Sequence, residues 1–283
     1  MKRAFTLVEL MVVLVIVTIL SALLLPVFRS ARASALSAAC LAQAKSVVAG
    51  HLLYMSDYDD RFVPSSYRGP NGGDPITDRK WPQLLQPYVR GYSSFTCPED
   101  HEIRPTVESV FNADLSLADP VTRSYVIAQR TNYGYNGVFL APMIQSDRGF
   151  IAVPTSYSSL AYPADTVQLV DSVWDVVNGR PTGGGRYLIQ PPCRIRIEFG
   201  REIDGSIDQA GGLGEVIGWN PGQSPSEDSY GGAWPWHSGM LTTAFADGHV
   251  QKLRPAALEN GCEVRKNWMG SIRNSSLYLY DLE

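Results

Sequence analysis

The sequence predicts an α+β protein: one long N-terminal hydrophobic helix packed on an antiparallel β-sheet globular domain with long loops. Residues 5–28 form an apolar run in which Glu9 is the one ionisable side chain, and helical spacing of apolar residues continues through residues 29–56. Residues 57–283 are instead rich in Gly, Pro and Tyr, with short strand-like runs between turns. Strands do not alternate with helices, which argues against a Rossmann-type parallel sheet.

Composition and charge argue against several classes of binding partner and metal or redox site. The 283 residues carry a formal net charge of −4 and show no basic patch, so nucleic acid is not an expected partner. The four cysteines form no C-x-x-C pair, which argues against a zinc ribbon or a thioredoxin motif. Disulfides and unpaired buried thiols both remain open in an exported domain. Pairing among Cys97, Cys193 and Cys262 is preferred, because Cys40 falls on the long helix.

The apolar run has three competing interpretations. As a helix it would be about 36 Å long, which is enough to cross a membrane. Lys2 and Arg3 precede it, so the amino end should stay in the cytoplasm and the domain should lie outside. A plain anchor and a secretory signal cleaved near Ser34 both fit this pattern. Glu9 argues against both, because a carboxylate within the membrane costs about 2.5–3.5 kcal/mol and is by default functional.

The first nine residues, MKRAFTLVE, resemble the leader of type IV prepilins and type II secretion pseudopilins. This resemblance implies that residues 1–4 are a leader, which a prepilin peptidase removes by cutting between Ala4 and Phe5. It also implies that Phe5 is then N-methylated. The family usually has glycine before the cut, where this chain has Ala4. Glu9 would serve filament assembly by pairing with the terminal amino group of a neighbouring subunit, which offsets the desolvation of the carboxylate.

The helix is predicted to continue beyond Pro26, which should kink or locally unwind it. Small and apolar residues follow at i, i+3, i+4 spacing, as in an amphipathic stripe that packs on a sheet. The carboxylates at 57–60 favour a solvated helix exit over a calcium loop. The predicted stripe consists of Ala31, Ala35, Ala38, Leu41, Ala42, Val48, Leu52 and Met55.

In the domain, the sequence predicts a short helix at 81–89 and a C-terminal segment, 258–283, that packs as a final extension. The strand candidates are residues 124–128, 167–170, 187–189, 195–199, 241–246 and 249–253.

The stretch HSGMLTTAFADGHV resembles the H-x9-D-G element of a bacterial prepilin-like family, and it predicts a hairpin over residues 237–253. Asp247-Gly248 should form its tight turn, with positive φ at both positions. Other short islands resemble the same family, namely Cys97-Pro98, the stretch at 132–136, and the stretch at 163–166.

His237, Asp247 and His249 raise a catalytic or metal hypothesis. A structural role for His237, Asp247 and Gly248 is favoured, with His237 hydrogen-bonded to the hairpin and Asp247 to turn amides. We predict no catalytic residue, no metal and no cofactor, because no G-x-S-x-G, H-E-x-x-H or Walker motif is present.

Function follows from the resemblance as an expectation. The chain would be a non-enzymatic structural subunit, minor or specialised, of a type IV pilus-like or type II secretion pseudopilus-like filament. Its partners would be the prepilin peptidase and methylase, other pilin-like subunits and the inner membrane, crossed once. One alternative is an anchored, exported binding module, with Trp234 and Trp236 stacking on a glycan. A weaker alternative is a hydrolase that uses His237 and Asp247.

Overall fold

The computed structural model describes most of the long helix and the central part of the domain. The leader with Ala4 and Phe5, the strand candidate at 124–128 and nearly all of the glycine-rich stretch at 206–233 lie outside the described residues. The described ranges are 6–67, 79–89, 91–100, 131–146, 149–177, 180–182, 185–198, 201–204, 230–265 and 268–280.

The dominant element is the helix α1, Leu7–Asp57, which has 51 residues and is about 77 Å long. Its most apolar 18-residue window has a mean hydropathy of 3.0. The helix runs unbroken through Pro26, so the expected local unwinding is absent at this position. It ends beside the predicted exit, where Asp60 accepts hydrogen bonds from the Ser156 hydroxyl (2.7 Å) and the Ser158 amide (2.8 Å).

The rest of the fold is built from short elements. Helix α2 covers Trp81–Leu84, half of the predicted 81–89, because Pro87 disfavours helical backbone at the residue before it. Helix α3 covers Gly137–Leu140. The strands within the described residues are β1 (Ser66–Tyr67), β2 (Arg79–Lys80), β3 (Tyr133–Tyr135), β4 (Met143–Ser146), β5 (Gly149–Ala152), β6 (Val167–Asp171), β7 (Asp175–Val177), β8 (Arg180–Thr182), β9 (Cys193–Glu198), β10 (Arg201–Asp204), β11 (Leu241–Phe245), β12 (Val250–Leu253), β13 (Cys262–Arg265) and β14 (Trp268–Ile272).

The main sheet is antiparallel throughout, in the order β12–β11–β6–β3, and α1 packs against it. The strands predicted at 167–170, 241–246 and 249–253 are thereby confirmed. A second sheet has the order β10–β9–β14–β13, with β9 and β14 parallel, and β9 covers most of the prediction at 195–199. The candidate at 187–189 is wrong as a strand, since only Leu188 forms an isolated bridge, to Tyr135.

Burial divides α1 into two parts. Residues 6–35 are all exposed, whereas from Ser37 onward one face of the helix is buried against the domain. The predicted stripe is therefore partly wrong, because its alanines at 31, 35, 38 and 42 are exposed. The true face includes polar and small side chains, which a hydrophobic pattern cannot assign. It comprises Ser37, Cys40, Ala44, Val47, Val48, Gly50, His51, Tyr54 and Met55.

Two hydrophobic clusters form the core. The first joins the buried face of α1 to an aromatic group that includes Trp81, Tyr133 and Tyr135. The second contains Phe139 of α3, Phe245 of β11 and the C-terminal residues Tyr278 and Tyr280. The Leu279 carbonyl also accepts a hydrogen bond from the Val167 amide (2.6 Å). The prediction of a packed C-terminal extension is confirmed.

The disulfides join Cys40 to Cys97 and Cys193 to Cys262. The preference for pairing among the last three cysteines was wrong for Cys97. Its premise fails because Cys40 lies on the face of α1 that is turned toward the domain, where it is fully buried. By chain entropy, each bridge stabilises the fold by roughly 4 kcal/mol, and the first one fastens α1 to the domain.

Candidate functional site

The amino end of α1 carries a capping box. Thr6 is the N-cap, and its hydroxyl oxygen accepts a hydrogen bond from the Glu9 amide (3.2 Å). In return, Glu9 Oε2 accepts from the Thr6 amide and the Thr6 hydroxyl, both at 2.9 Å. The pattern T-x-x-E before an apolar run is the signal that would have revealed this motif in the sequence. The carboxylate is thereby held at the helix end, three residues from Thr6.

Beyond this cap, α1 exposes an extended apolar surface. The large hydrophobic side chains from Leu7 to Phe28 are 50–70% exposed, and the domain covers none of them. Among the described residues, α1 is the one helix long and apolar enough to cross a membrane. An exposed apolar surface of this size requires lipid or other protein around it.

Polar contacts, in addition to hydrophobic core contacts, hold the second half of α1 against the domain. The Lys45 Nζ donates to the Gly248 carbonyl. The Gln43 side-chain amide donates to the Ser93 carbonyl (3.2 Å), and the Tyr133 hydroxyl donates to the Cys40 carbonyl (2.9 Å). The Asp247-Gly248 turn therefore supports the helix by direct contact. Sequence patterns did not reveal this contact.

The hairpin turn is wider than predicted. The Gly248 amide donates to the Phe245 carbonyl (2.9 Å), and Gly248 has φ +90° while Asp247 does not have positive φ. This geometry is that of a longer hairpin loop, in which a glycine with positive φ follows a β-turn. The prediction of positive φ at both positions was therefore wrong. The predicted role of Asp247 is confirmed, because its Oδ1 accepts from the His249 amide (2.9 Å).

The His237 side chain lies in a buried polar cluster. Its Nδ1 is 2.5 Å from Glu99 Oε2, and its Nε2 is 3.3 Å from Asp171 Oδ2 and 3.7 Å from Cys97 Sγ. The predicted hydrogen bond between His237 and the hairpin is made by the backbone, since the His237 amide donates to the Met240 carbonyl (3.2 Å) and the Met240 amide donates to the His237 carbonyl (3.1 Å). The side chain is linked to the hairpin indirectly, because Asp171 Oδ2 also accepts from the Thr242 amide of β11 (2.6 Å). Sequence reasoning did not single out Glu99 or give Asp171 a role, because their distance from His237 along the chain hides the contact.

The pKa values of Asp171 and His237 are shifted by their shared surroundings. Burial raises the pKa of Asp171, although hydrogen bonds from His237 and Thr242 partly oppose the rise. Burial alone would lower the pKa of His237, but the hydrogen bonds and charges of Asp171 and Glu99 prevail and raise it. The His237 ring lies between two carboxyl groups, of which Asp171 is fully buried.

The structure does not join His237, Asp247 and His249 into one triad. His249 Nδ1 is 2.7 Å from Asp247 Oδ1, while His237 faces Glu99 and Asp171. The His249 ring also stacks on Phe245, at 4.2 Å between centroids.

The two tryptophans proposed for glycan stacking are integrated into the domain. Trp234 is only 8% exposed, and its amide donates to the Asp171 carbonyl (2.9 Å). The Trp236 indole donates to the Ser172 carbonyl (3.0 Å). Their rings meet edge to face at 6.5 Å, which favours a packing role over a flat sugar platform.

The short sequence islands meet in space. The Cys97 amide donates to the Asn132 side-chain oxygen (2.8 Å), and the Asn132 side-chain nitrogen donates to Asp100 (2.8 Å). The Asp247 amide donates to the Pro163 carbonyl (3.2 Å). The first two islands therefore meet beside the Cys40–Cys97 disulfide, and the third contacts the hairpin turn.

Residues 1–25 match the prokaryotic N-terminal methylation motif. Comparison of the chain with curated proteins and with solved structures gives no match. The motif covers the leader and nearly all of the apolar run, and it accounts for neither the domain nor the H-x9-D-G element. At its amino-terminal end, this chain therefore carries the N-terminal methylation motif of prepilin-like precursors.

Proposed function

We propose that this chain is a non-enzymatic structural subunit, minor or specialised, of a type IV pilus-like or type II secretion pseudopilus-like filament. The observation that carries the proposal is the division of α1 into an exposed, largely apolar half and a half that packs against the domain. Residues 6–35 are all exposed, whereas the later turns are fixed by core contacts and a disulfide. Such a helix can leave the membrane and pack among copies of itself without any rearrangement of the domain.

The exposed alanines of the middle helix support this proposal. Ala31, Ala35, Ala38 and Ala42 share one helical face, and that face is turned away from the domain. Small side chains allow neighbouring helices to approach closely, as they do in membrane helix pairs. The alanines that fail to pack on the sheet are therefore suited to contacts between subunits.

The amino terminus supplies the second part of the proposal. Prepilin peptidase would cut between Ala4 and Phe5 on the cytoplasmic side, and Phe5 would be N-methylated. The capping box holds the Glu9 carboxylate against Thr6, the residue that would follow this new terminus. It would pair there with the terminal ammonium group of a neighbouring subunit, which offsets the cost of a carboxylate in the membrane.

Two substitutions separate the assembly role of Glu9 from its capping role. Glu9→Gln keeps an acceptor for the Thr6 amide but removes the charge, so processed protein should accumulate in the membrane without assembling. Thr6→Ala removes the cap, worth about 1 kcal/mol, but keeps the charge, so assembly should persist. Immunoblots of surface-sheared and membrane fractions measure both outcomes. Filaments from Glu9→Gln cells at wild-type levels would contradict the proposal.

A further inference from the structure

The cluster around His237 contains more than a disulfide and a charge pair. The sulfurs of Cys40 and Cys97 and a ring nitrogen of His237 all lie within 4.8 Å of one another, and all three residues are buried. The carboxylate of Asp171 borders the same ring nitrogen, Nε2, at 3.3 Å. Two sulfurs, an imidazole and a carboxylate are together a donor set typical of zinc in proteins.

The distances fit a tetrahedral metal centre. Bonds of about 2.0–2.1 Å to nitrogen or oxygen and 2.3 Å to sulfur place neighbouring N and O ligands about 3.4 Å apart, and N and S ligands about 3.5 Å apart. The observed distances from His237 Nε2 are 3.3 Å to Asp171 Oδ2 and 3.7 Å to Cys97 Sγ. Two sulfur ligands require about 3.8 Å, so the sulfurs must separate before a metal can enter.

The surroundings orient these donors as a metal site requires. Metal-binding histidines usually hold their second ring nitrogen against a carboxylate, and Glu99 takes this position on His237 Nδ1 at 2.5 Å. The Thr242 amide fixes Asp171 Oδ2, while the buried Asp171 Oδ1 has no hydrogen-bond partner in the described part of the chain. Glu99 is 23% exposed, so the cluster lies one side chain away from solvent.

We propose that Cys40, Cys97, His237 and Asp171 bind one Zn²⁺ ion when the Cys40–Cys97 disulfide is reduced. The same four side chains thus hold either a disulfide or a metal ion, and both states fasten α1 to the domain. A phosphine supplies the two electrons that break the S–S bond. Water gives its oxygen to the phosphine oxide, and each sulfur gains a proton. Metal binding then releases these two thiol protons, and the ion binds His237 Nε2 in its unprotonated form.

The second disulfide provides a matched control. Cys193 and Cys262 are also buried or half-buried, but they belong to no comparable group of metal donors among the described residues. Cys193 Sγ instead contacts the Ser271 carbonyl at 3.2 Å. A Cys193→Ser/Cys262→Ser double variant therefore leaves the proposed site intact.

The test uses full-length protein in detergent, reduced with a phosphine and titrated with Co²⁺ as a spectroscopic probe for zinc. The reduced wild type and the Cys193→Ser/Cys262→Ser variant should each bind one Co²⁺, with thiolate-to-cobalt and tetrahedral ligand-field bands that Zn²⁺ abolishes. Asp171→Asn and His237→Ala should weaken binding at least about tenfold. Glu99→Gln, at the rim of the cluster and least disruptive to the fold, should weaken it roughly 10–100-fold.

Three results would overturn the proposal. One is a reduced wild-type protein without the tetrahedral cobalt spectrum. Another is equal Co²⁺ affinity in the oxidised and reduced forms. The third is loss of the spectrum in Cys193→Ser/Cys262→Ser together with its retention in Cys40→Ser/Cys97→Ser.

Discussion

At the residue scale, the most unusual side chain on α1 is His51. It is fully buried among aromatic rings, 5.4 Å from Trp81 and 5.3 Å from Tyr135 between centroids, and neither ring nitrogen has a hydrogen-bond partner among the residues that the structure describes. Burial lowers the pKa of His51 to about 3. The folded protein therefore keeps this imidazole neutral, while the unfolded chain protonates it near its ordinary pKa of about 6.5.

This difference predicts acid sensitivity. Between pH 6.5 and 3 the unfolded state binds the extra proton, so the His51 contribution to stability is present above about pH 6.5 and is lost as the pH falls. From pH 7 to pH 5 the loss should be about 2 kcal/mol. Because the raised pKa values of Asp171 and His237 act in the opposite direction, urea unfolding followed by tryptophan fluorescence should show this loss as a difference in pH dependence between the His51 variants and either the wild type or a His249→Gln control. His51→Leu and His51→Gln should lose less stability over the same interval, and an unchanged pH dependence in both would contradict the argument.

At the element scale, the position of α1 depends on close approach at Gly50. A Cβ added there would lie 2.3 Å from Val89 Cγ2, and Val89 is only 1% exposed. Alanine is the better helix former by about 1 kcal/mol, so propensity and packing predict opposite effects of Gly50→Ala.

We expect packing to prevail, so that Gly50→Ala lowers the free energy of unfolding by about 1–3 kcal/mol. Val89→Ala alone should also destabilise the protein, because it leaves a cavity. In the double variant the new methyl group occupies that cavity. The double variant should therefore lose less unfolding free energy than the sum of the losses in the two single variants, by more than about 1 kcal/mol. If urea unfolding showed that the two losses of stability are additive, there would be no steric conflict between a side chain at position 50 and Val89.

The elements also show what sequence patterns can predict in this chain. The apolar run and the strands β6 and β11 were predictable, because the run is long and uniformly apolar and the strands are short segments bounded by turn residues. The buried face of α1 was not, because Ser37 and His51 occupy core positions that pattern reasoning gives to apolar residues. The pairing of Cys40 and the contacts of His237 depend on tertiary approach, which one sequence does not encode locally.

The candidate site likewise contains residues that sequence patterns could predict and residues that they could not. Glu9 was predictable because an acid in an apolar run is conspicuous, and its cap was readable from Thr6 as well. Asp171 was not singled out, since it ends a buried strand and meets His237 only through the fold. Gly248 was expected to form a turn, but its contact with Lys45 of α1 required the structure.

At the scale of the whole molecule, the two halves of α1 have different roles. The exposed half, with Glu9 at its end, is suited to the membrane and to neighbouring helices. The half that packs against the domain is bound to it by the Cys40–Cys97 disulfide, the Asp247-Gly248 turn and the aromatic core. Removal of residues 1–4 alone would leave both halves intact, which is what assembly into a filament requires.

The mature amino terminus is the most direct measurement of this claim. Mass spectrometry of protein recovered from its native cells should find N-methylated Phe5 as the first residue. A chain that begins near Ser34 would be a secreted protein without its apolar half, and a retained Met1 would mark an unprocessed anchor. Either of those termini would contradict the proposed filament subunit.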